Sequence, residues 1–249
     1  MSERPKTRLY LAQLPAEGKR VELASGPAHH LRNVLRLGPG APVAAFNATG
    51  GEWLCRIDGT ERNRTSLIVE RRLRPPEPEG DLWLLFAPIK RVRLEWLVEK
   101  ATELGVSVLA PVWTRHTQVE RLNLDRLQAH AVAAAEQSER LSVPELRAPE
   151  ALDTVLAKWP GGRRLIVCDE TGGGEPIADV LPPLGFTDAA LLIGPEGGFA
   201  ENELDSLRTL PFVTCIGLGP RVLRADTAAL AAISVFQAIA GDWRRPRSR

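Results

Sequence analysis

Hydrophobic and polar positions follow two different patterns on either side of a proline-rich segment. Before it, short β-forming runs alternate with turn signals such as Asn47 to Gly51 and Asp58-Gly59. These runs predict four strands, at residues 8–12, 43–46, 53–57 and 66–69. One stretch, Ala28 to Leu37, has helical spacing and stops at Gly38-Pro39-Gly40. Together these elements predict a small β-barrel with one helix.

The second pattern begins after Arg74 to Gly80, a segment whose prolines disfavour both helix and central strand. Beyond it, continuous apolar runs alternate with helically spaced segments. The runs predict strands at 82–87, 106–112, 164–168, 189–193 and 212–216, and helices at 94–104, 124–137, 201–210 and 227–240. Strands that alternate with helices indicate a parallel α/β sheet. We therefore predict a module of residues 1–74, a linker of residues 75–80 and an α/β domain of residues 81–249.

The composition, with 44% hydrophobic and 25% charged residues, is typical of a soluble globular protein. The N-terminus lacks the apolar stretch of a signal peptide, and the longest mostly apolar stretch, Thr227 to Ala240, is too short to cross a bilayer. Cys55, Cys168 and Cys215 are dispersed, which indicates reduced thiols rather than disulfides or a zinc site. We expect a cytoplasmic protein without a membrane span and without a metal.

Charge is distributed unevenly along the chain. Residues 1–75 hold 13 basic and 7 acidic residues, a net charge of +6, and the remainder has a net charge of −5. A basic N-terminal module suggests a surface that binds nucleic acid, although a solvated basic face without a partner has the same charge. Arg32 and Arg36 are four residues apart in the predicted helix, so we expect them on one helical face suited to phosphate contact.

Two glycine-containing loops follow predicted parallel strands, at Gly194 to Phe199 and at Gly217 to Arg224. Loops at the carboxyl ends of parallel strands bind ligands in α/β folds, and glycines let the backbone approach a ligand closely. Each loop alone fits a tight strand-to-helix turn, but two in succession favour a ligand site. A third segment, Asp169 to Gly174, also follows a strand but lacks the glycine spacing of a Rossmann-type dinucleotide site.

These loops carry a family resemblance. Ile193 to Gly198 and Leu218 to Ala228 resemble the C-terminal signature of the 16S ribosomal RNA (uracil-N3)-methyltransferases, which are SPOUT enzymes. His30 to Leu37, Lys90 to Gly105 and Glu136 to Ser138 resemble further motifs of that family. The matches follow the family's order over nearly the whole chain.

Two positions depart from the family pattern. Glu139 stands where glycine is common, which leaves the local turn open. Asp226 stands where glutamate is common, which is a chemically mild change.

The resemblance implies an S-adenosylmethionine-dependent methyltransferase with a PUA-like or OB-like N-terminal barrel and a parallel α/β SPOUT domain that contains a deep trefoil knot. It also implies a homodimer that acts on 16S ribosomal RNA or the small ribosomal subunit. The cofactor residues that it implies are Asp169, Glu170, Ile193, Gly194, Pro195, Glu196, Gly197, Gly198, Leu218, Gly219 and Leu223.

Methyl transfer to N3 of uracil is an in-line displacement that needs positioning but no metal. Because N3 carries a proton, the reaction needs a base or a cation that stabilises the uridine anion. The catalytic candidates are Arg224 and Glu196, with an ion pair of Arg224 to Asp226 or Glu196 as an equally open interpretation. The residues that we expect to contact RNA are Arg32, Arg36, Lys90, Arg140 and Arg221.

The helix predicted at Thr227 to Ala240 is apolar almost all round, which predicts cover on several sides. A partner subunit is one explanation, and the chain's own sheet and helices are the other. Two other functions stay open: a non-catalytic RNA-binding or ribosome-assembly protein, and a SPOUT methyltransferase that acts on another RNA site.

Overall fold

The computed structural model describes residues 4–59, 64–184 and 188–244. The chain divides into two compact units. The first contains Met1–Pro78 together with Ala135–Val143, and the second contains Glu79–Ala134 together with Pro144–Arg249.

The first unit is built on a five-stranded sheet. Its elements are β1 (Arg8–Tyr10), β2 (Arg20–Glu22), helix α1 (Ser25–His29), β3 (Pro42–Asn47), β4 (Gly51–Gly59) and β5 (Ser66–Arg74). The strand order is β1-β3-β4-β5-β2, with β1 and β3 parallel and the other neighbours antiparallel. The four predicted strands are confirmed, and β2 is additional.

The predicted helix Ala28 to Leu37 is wrong in its limits. Helix α1 starts earlier, and a π-helical turn, His30–Val34, continues it. Arg36 then adopts a φ of +53°, in the left-handed region, so it lies outside the helix. Arg32 and Arg36 therefore do not share a helical face, contrary to the prediction.

Arg8 of β1 joins residues 135–143 to this sheet. Its guanidinium pairs with Glu52 at 2.5 Å and is only 13% exposed. The same group donates to the carbonyl oxygens of Ala135, Glu136 and Arg140 at 3.0, 2.9 and 2.8 Å. A guanidinium has five N–H donors in a fixed fork, so one side chain satisfies several backbone acceptors at once.

The second unit alternates strands and helices. Its elements are β6 (Asp81–Phe86), α2 (Arg91–Glu103), β7 (Val108–Trp113), α3 (Leu124–Gln137), β8 (Glu145–Leu146), β9 (Glu150–Ala151), α4 (Leu152–Ala157), β10 (Arg164–Cys168), β11 (Glu175–Pro176), α5 (Ile177–Leu184), β12 (Asp188–Ile193), α6 (Glu201–Arg208), β13 (Val213–Gly217), α7 (Ala225–Ile239) and a 3-10 turn (Asp242–Arg244).

Parallel strands form the sheet of this unit, as predicted. Its order is β11-β13-β10-β12-β6-β7-β8, and β9 also pairs with β7. Strand β10 lies between β12 and β13, both of which follow it in the chain. Adjacent residues such as Leu84 and Leu85, or Ile166 and Val167, are fully buried. Because neighbouring side chains of a strand point to opposite faces, both faces of the sheet are covered.

Helix α7 is covered within its own unit on one face. It packs against α2, α5 and β12, and Ala229, Ala232 and Ile233 are fully buried. Leu230 and Val235, on the other face, stay partly exposed. The unit's own sheet and helices therefore cover one face of the helix and leave the other partly open. Neither α7 nor any other helix within the described ranges is long and apolar enough to cross a membrane.

Candidate functional site

Three loops meet at one edge of the parallel sheet, after β10, β12 and β13. Because β10 lies between the other two strands, their carboxyl ends are neighbours. The loops and the first turns of α7 enclose a cavity of about 440 Å³. Its apolar lining includes Ile193, Ile216, Leu218 and Leu223, and glycine backbone supplies much of the rest. Such a surface suits a flat, partly apolar ligand that is recognised through backbone groups.

The predicted cofactor residues gather around this cavity, with one exception. The ones that line it are Asp169, Glu170, Ile193, Gly194, Pro195, Glu196, Gly198, Leu218, Gly219 and Leu223. Gly197 is not among the lining residues. A side chain there would meet only the Cβ atom of His116, at an ordinary contact distance of 3.5 Å.

Gly198 is the glycine on which the conformation of the loop after β12 depends. Its φ is +70°, a region that disfavours side chains, and a Cβ atom there would collide with the Glu170 carboxylate. The Oε1 atom of Glu170 accepts a hydrogen bond from the Phe199 N–H at 2.8 Å. Glu170, predicted as a cofactor residue, thus ties the loop after β10 to the loop after β12.

His116, which the sequence analysis did not single out, holds the same loop from another direction. Its Nδ1 atom lies 3.2 Å from the carbonyl oxygen of Gly197 and 3.1 Å from that of Gly198. The adjacent Arg115 N–H donates to Glu203 of α6 at 2.8 Å. Because His116 belongs to no glycine motif and its partners are distant in the chain, the sequence carried no signal for this role.

Asp169 is held by a polar network beneath the cavity. Its carboxylate accepts hydrogen bonds from the Thr171 N–H and hydroxyl at 2.9 and 2.6 Å, and pairs with Arg208 at 2.8 Å. Burial on its own would raise the pKa of Asp169, but the hydrogen bonds from Thr171 and Arg208 hold that pKa below its ordinary value. The carboxylate is therefore ionised at neutral pH and fixes the loop that follows β10.

Both catalytic candidates stand at the cavity with exposed side chains. Glu196 lies in the loop after β12, and Arg224 is the residue before α7. Among the described residues, Arg224 forms no ion pair with Asp226 or Glu196. The charges of the two candidates, Arg224 and Glu196, therefore do not neutralise each other. A guanidinium and a carboxylate thus border one cavity.

Cysteine chemistry does not fit this site. Burial raises the pKa of Cys168, which lines the cavity, to about 12. The thiol is therefore protonated at neutral pH and is a poor nucleophile.

No group of three or more His, Cys, Asp or Glu side chains with metal-binding geometry occurs in the described part of the chain.

The predicted RNA contacts fall in both units. Arg32 and Arg36 belong to the first unit, as does Arg140, which donates to the Ser142 hydroxyl at 2.9 Å. In the second unit, Lys90 is exposed directly before α2, and Arg221 is exposed at the cavity.

Family models match most of the chain. The RNA methyltransferase domain matches residues 75–237, and the RNA methyltransferase PUA domain matches residues 28–70. The chain belongs to the RNA methyltransferase family. Among its relatives in this family is the ribosomal RNA small subunit methyltransferase E of Rickettsia conorii, 33% identical over 91% of this chain and 93% of that protein. The resemblance carried by the two glycine loops is thereby confirmed.

Solved structures of similar methyltransferases hold the methyl donor. A Legionella pneumophila methyltransferase in complex with the bound cofactor SAM is 30% identical, with a TM-score of 0.84 over 96% of this chain and 99% of that one. Ribosomal RNA small subunit methyltransferase E of Neisseria gonorrhoeae, bound to S-adenosyl methionine, is 27% identical, with a TM-score of 0.85 over 95% of this chain and 99% of that one.

We expect Asp169→Asn to lower stability at neutral pH by about 1–3 kcal/mol, the cost of weakening a buried hydrogen-bonded charge. Because the pKa of Asp169 is depressed in the folded chain, its ionised form stabilises the fold above about pH 4, and this contribution is lost as the pH falls through the folded pKa. Urea unfolding at pH 7 and in steps to pH 3 measures both effects.

Asp205→Asn is the matched control, because it removes an exposed partner of the same Arg208. It should leave the pH dependence unchanged. If the unfolding free energy of Asp169→Asn fell with decreasing pH as steeply as that of the wild type, the role assigned to Asp169 would be contradicted.

Proposed function

We propose that this chain transfers a methyl group from S-adenosylmethionine to N3 of a uridine in 16S ribosomal RNA. The observation that carries the proposal is the cavity at the carboxyl ends of β10, β12 and β13, lined by the residues of the two family loops. A relative named ribosomal RNA small subunit methyltransferase E, 33% identical over nearly the whole chain, supports this choice of substrate. Because ribosomal RNA is the substrate, we propose that the chain acts in the cytoplasm.

The cavity fits the methyl donor in shape and charge. Apolar side chains and glycine backbone suit an adenine and a ribose, and a Cβ atom on Gly219 would meet nothing within 4 Å. The carboxylate of Glu196 lies where a positively charged ligand gains from it. When bound, the cofactor supplies a methyl group on a sulfonium, whose transfer is an in-line displacement.

The uracil N3–H must lose its proton before or as N3 is methylated. We propose that Arg224 stabilises the resulting negative charge on the base, and its exposed position at the cavity supports this role. Glu196 is our candidate for accepting the proton. To reach the site, the uridine leaves the RNA stack, as in other enzymes that modify bases.

RNA affinity is assigned mainly to the first unit. Its match to the RNA methyltransferase PUA domain and the net charge of +6 over residues 1–75 support this. Arg32 and Arg36 are proposed as separate phosphate contacts rather than as one helical pair. The further contacts that we propose are Lys90, Arg140 and Arg221.

The proposed organisation retains residues 1–74 as the RNA-binding module, 75–80 as linker and 81–249 as catalytic domain. We also propose that the segment after β13 is threaded into a deep trefoil knot. The position of β10 between two later strands, with α7 returning to pack on β12, supports such a threading.

A homodimer is proposed through the second face of α7. That face presents the partly exposed Leu230 and Val235 and the exposed Ala238. Val222, in the segment before the helix, is a further exposed apolar residue, at 89%. An apolar helix face that its own unit leaves open favours a second copy as its cover.

The decisive experiment measures the product. Purified protein, S-adenosylmethionine and 16S ribosomal RNA from a strain lacking the modification are incubated, and the digested nucleosides are identified by mass spectrometry. We expect 3-methyluridine at one position. Cofactor binding without any methyl transfer, to naked RNA or to the assembled small subunit, would favour the non-catalytic alternative. A methyl group on another atom would favour a different RNA site.

We expect Gly198→Ala to weaken S-adenosylmethionine binding by about 5- to 150-fold, because a side chain in the left-handed region costs on the order of 1–3 kcal/mol. Gly197→Ala is the matched control, since its Cβ has room, and its affinity should stay within about twofold of the wild type. Calorimetry on both folded variants measures this, and equal affinities would contradict the placement of the cofactor.

We expect Ala238→Glu to convert the dimer to a monomer, because it puts a charge on the open face of α7. Ala232→Glu is a poorer probe, since Ala232 is fully buried within its own unit and the variant should unfold. Ala129→Glu, at an exposed position of α3, is the control. Sedimentation equilibrium at micromolar concentration measures the molar mass of each variant. A wild-type mass of 27.2 kDa, that of a monomer, would contradict the proposed dimer.

A further inference from the structure

A second cavity opens at the same edge of the sheet, beside the loops that follow β6 and β7. Its volume is about 290 Å³, near the lower end of the range for small-molecule sites. Apolar residues line it, among them Ile89 and Leu94, both 3% exposed. Three exposed arginines, Arg91, Arg121 and Arg126, also line it. The cavity thus combines an apolar interior with cationic groups in contact with solvent.

A single carboxylate holds two of these arginines. Glu95 is only 11% exposed and lies 3.2 Å from the Nε atom of Arg91 and 2.6 Å from that of Arg126. Hydrogen bonding from Arg126 lowers the pKa of Glu95 although burial opposes this, so the carboxylate is ionised. One negative charge cannot neutralise two guanidinium groups, and each guanidinium keeps N–H donors for a further partner. The arrangement is a positioned, positively charged site.

Arg121 adds a third cation without a fixed partner. In the described part of the chain it forms no hydrogen bond or ion pair. The carboxylates Glu120 and Asp125 are its neighbours in sequence, but neither pairs with it. His130 lies 3.6 Å from Glu95 and 2.6 Å from Glu99, so the carboxylate of Glu99 has an imidazole as its partner. The three arginines leave the site with a net positive charge.

The second cavity is next to the cofactor cavity. Strand β6 pairs with β12, whose loop lines the cofactor cavity, and β7 is the next strand. Neighbouring strands are about 4.8 Å apart, so the loops that line the two cavities leave the sheet at adjacent positions along one edge. The loop after β7 lines the second cavity through Arg121, and its His116 lies 3.1 Å from the carbonyl oxygen of Gly198, a residue that lines the cofactor cavity.

We propose that this second cavity binds a nucleotide that neighbours the target uridine, with its base against the apolar interior and its phosphate on Arg91, Arg121 and Arg126. The proposal rests on the proposed function. Guanidinium groups bind phosphate through paired N–H donors, and an apolar surface next to them accepts the face of a base. Holding a neighbouring nucleotide offsets the energy of unstacking the target base. The site would therefore act in positioning the RNA, not in binding the cofactor.

Arg121→Ala tests the proposal, because it leaves the pairing of Glu95 with Arg91 and Arg126 intact. We expect the KM for a 16S ribosomal RNA fragment to rise about tenfold, and the slope of log affinity against log salt to fall by about 0.7–0.9, as for one lost phosphate contact. Calorimetry should show unchanged affinity for S-adenosylmethionine. Lys158→Ala is the control, since it removes an exposed cation of the same unit, 69% exposed, away from this cavity.

Photo-crosslinking supplies a second readout. RNA with 4-thiouridine one nucleotide from the target should attach to the peptide that contains residues 119–127, and Arg121→Ala should reduce the yield. The proposal would be overturned if Arg121→Ala had the same RNA affinity and the same crosslinking yield as Lys158→Ala. It would also be overturned if saturating the cavity with inorganic phosphate left the affinity for RNA unchanged. If the wild type transfers no methyl group, the proposed function fails, and the affinity comparison still decides on the nucleotide site.

Discussion

The parallel pairing of five adjacent strands, β13-β10-β12-β6-β7, is the constraint on which the second unit depends. Parallel strands present all their carboxyl ends at one edge, so segments far apart in the chain become neighbours there. The loops after β10, β12 and β13 form one cavity only because β10 is inserted between two strands that follow it. An antiparallel exchange of any of these strands would move its loop to the opposite edge.

A ligand site made mostly of backbone needs side chains outside it to fix its shape. Glycines permit the close approach but also leave the loops free to move, which costs entropy when a ligand binds. Glu170 and His116 bind backbone groups of the loop after β12 from two neighbouring loops. Asp169, through Thr171 and Arg208, does the same for the loop after β10. The hydrogen bonds of these residues thus fix the shape of the cavity.

Much of the architecture follows from pattern alone, because strands covered on both faces are continuously apolar and long helices are periodic. Short strands such as β2 and β8 contain too few residues for an alternation of apolar and polar positions to be recognised, so the sequence pattern did not predict them. Helix α5 was missed because it contains Pro182-Pro183, which reads as a break in sequence.

Positive φ angles explain three further features that the sequence pattern did not show. Arg36, after the helical segment, adopts a left-handed backbone conformation. An arginine in the sequence does not predict such a conformation, whereas a glycine would. Glu139 has a φ of +61°, and this gives a physical reason for the glycine that the family commonly has there. At the cofactor loop, the pair Gly197-Gly198 looks symmetric in sequence, and only the backbone conformation shows that Gly198 is the constrained one. The contact of His116 with that loop spans 81 residues and has no local signature.

Net charge describes this chain poorly, because recognition depends on charges within about one Debye length, roughly 8 Å at physiological salt. The chain beyond residue 75 is acidic overall, yet cations such as Arg91, Arg121 and Arg224 gather at the carboxyl edge of its sheet. The methyl donor is a cation and RNA is a polyanion, so the two ligands make opposite electrostatic demands on the same edge. Glu196 lines the cofactor cavity together with Arg221 and Arg224, and three further arginines line the neighbouring cavity. In the proposed function, Glu196 would face the cationic methyl donor and the arginines would face the RNA, which would orient the two reactants toward each other before any bond changes.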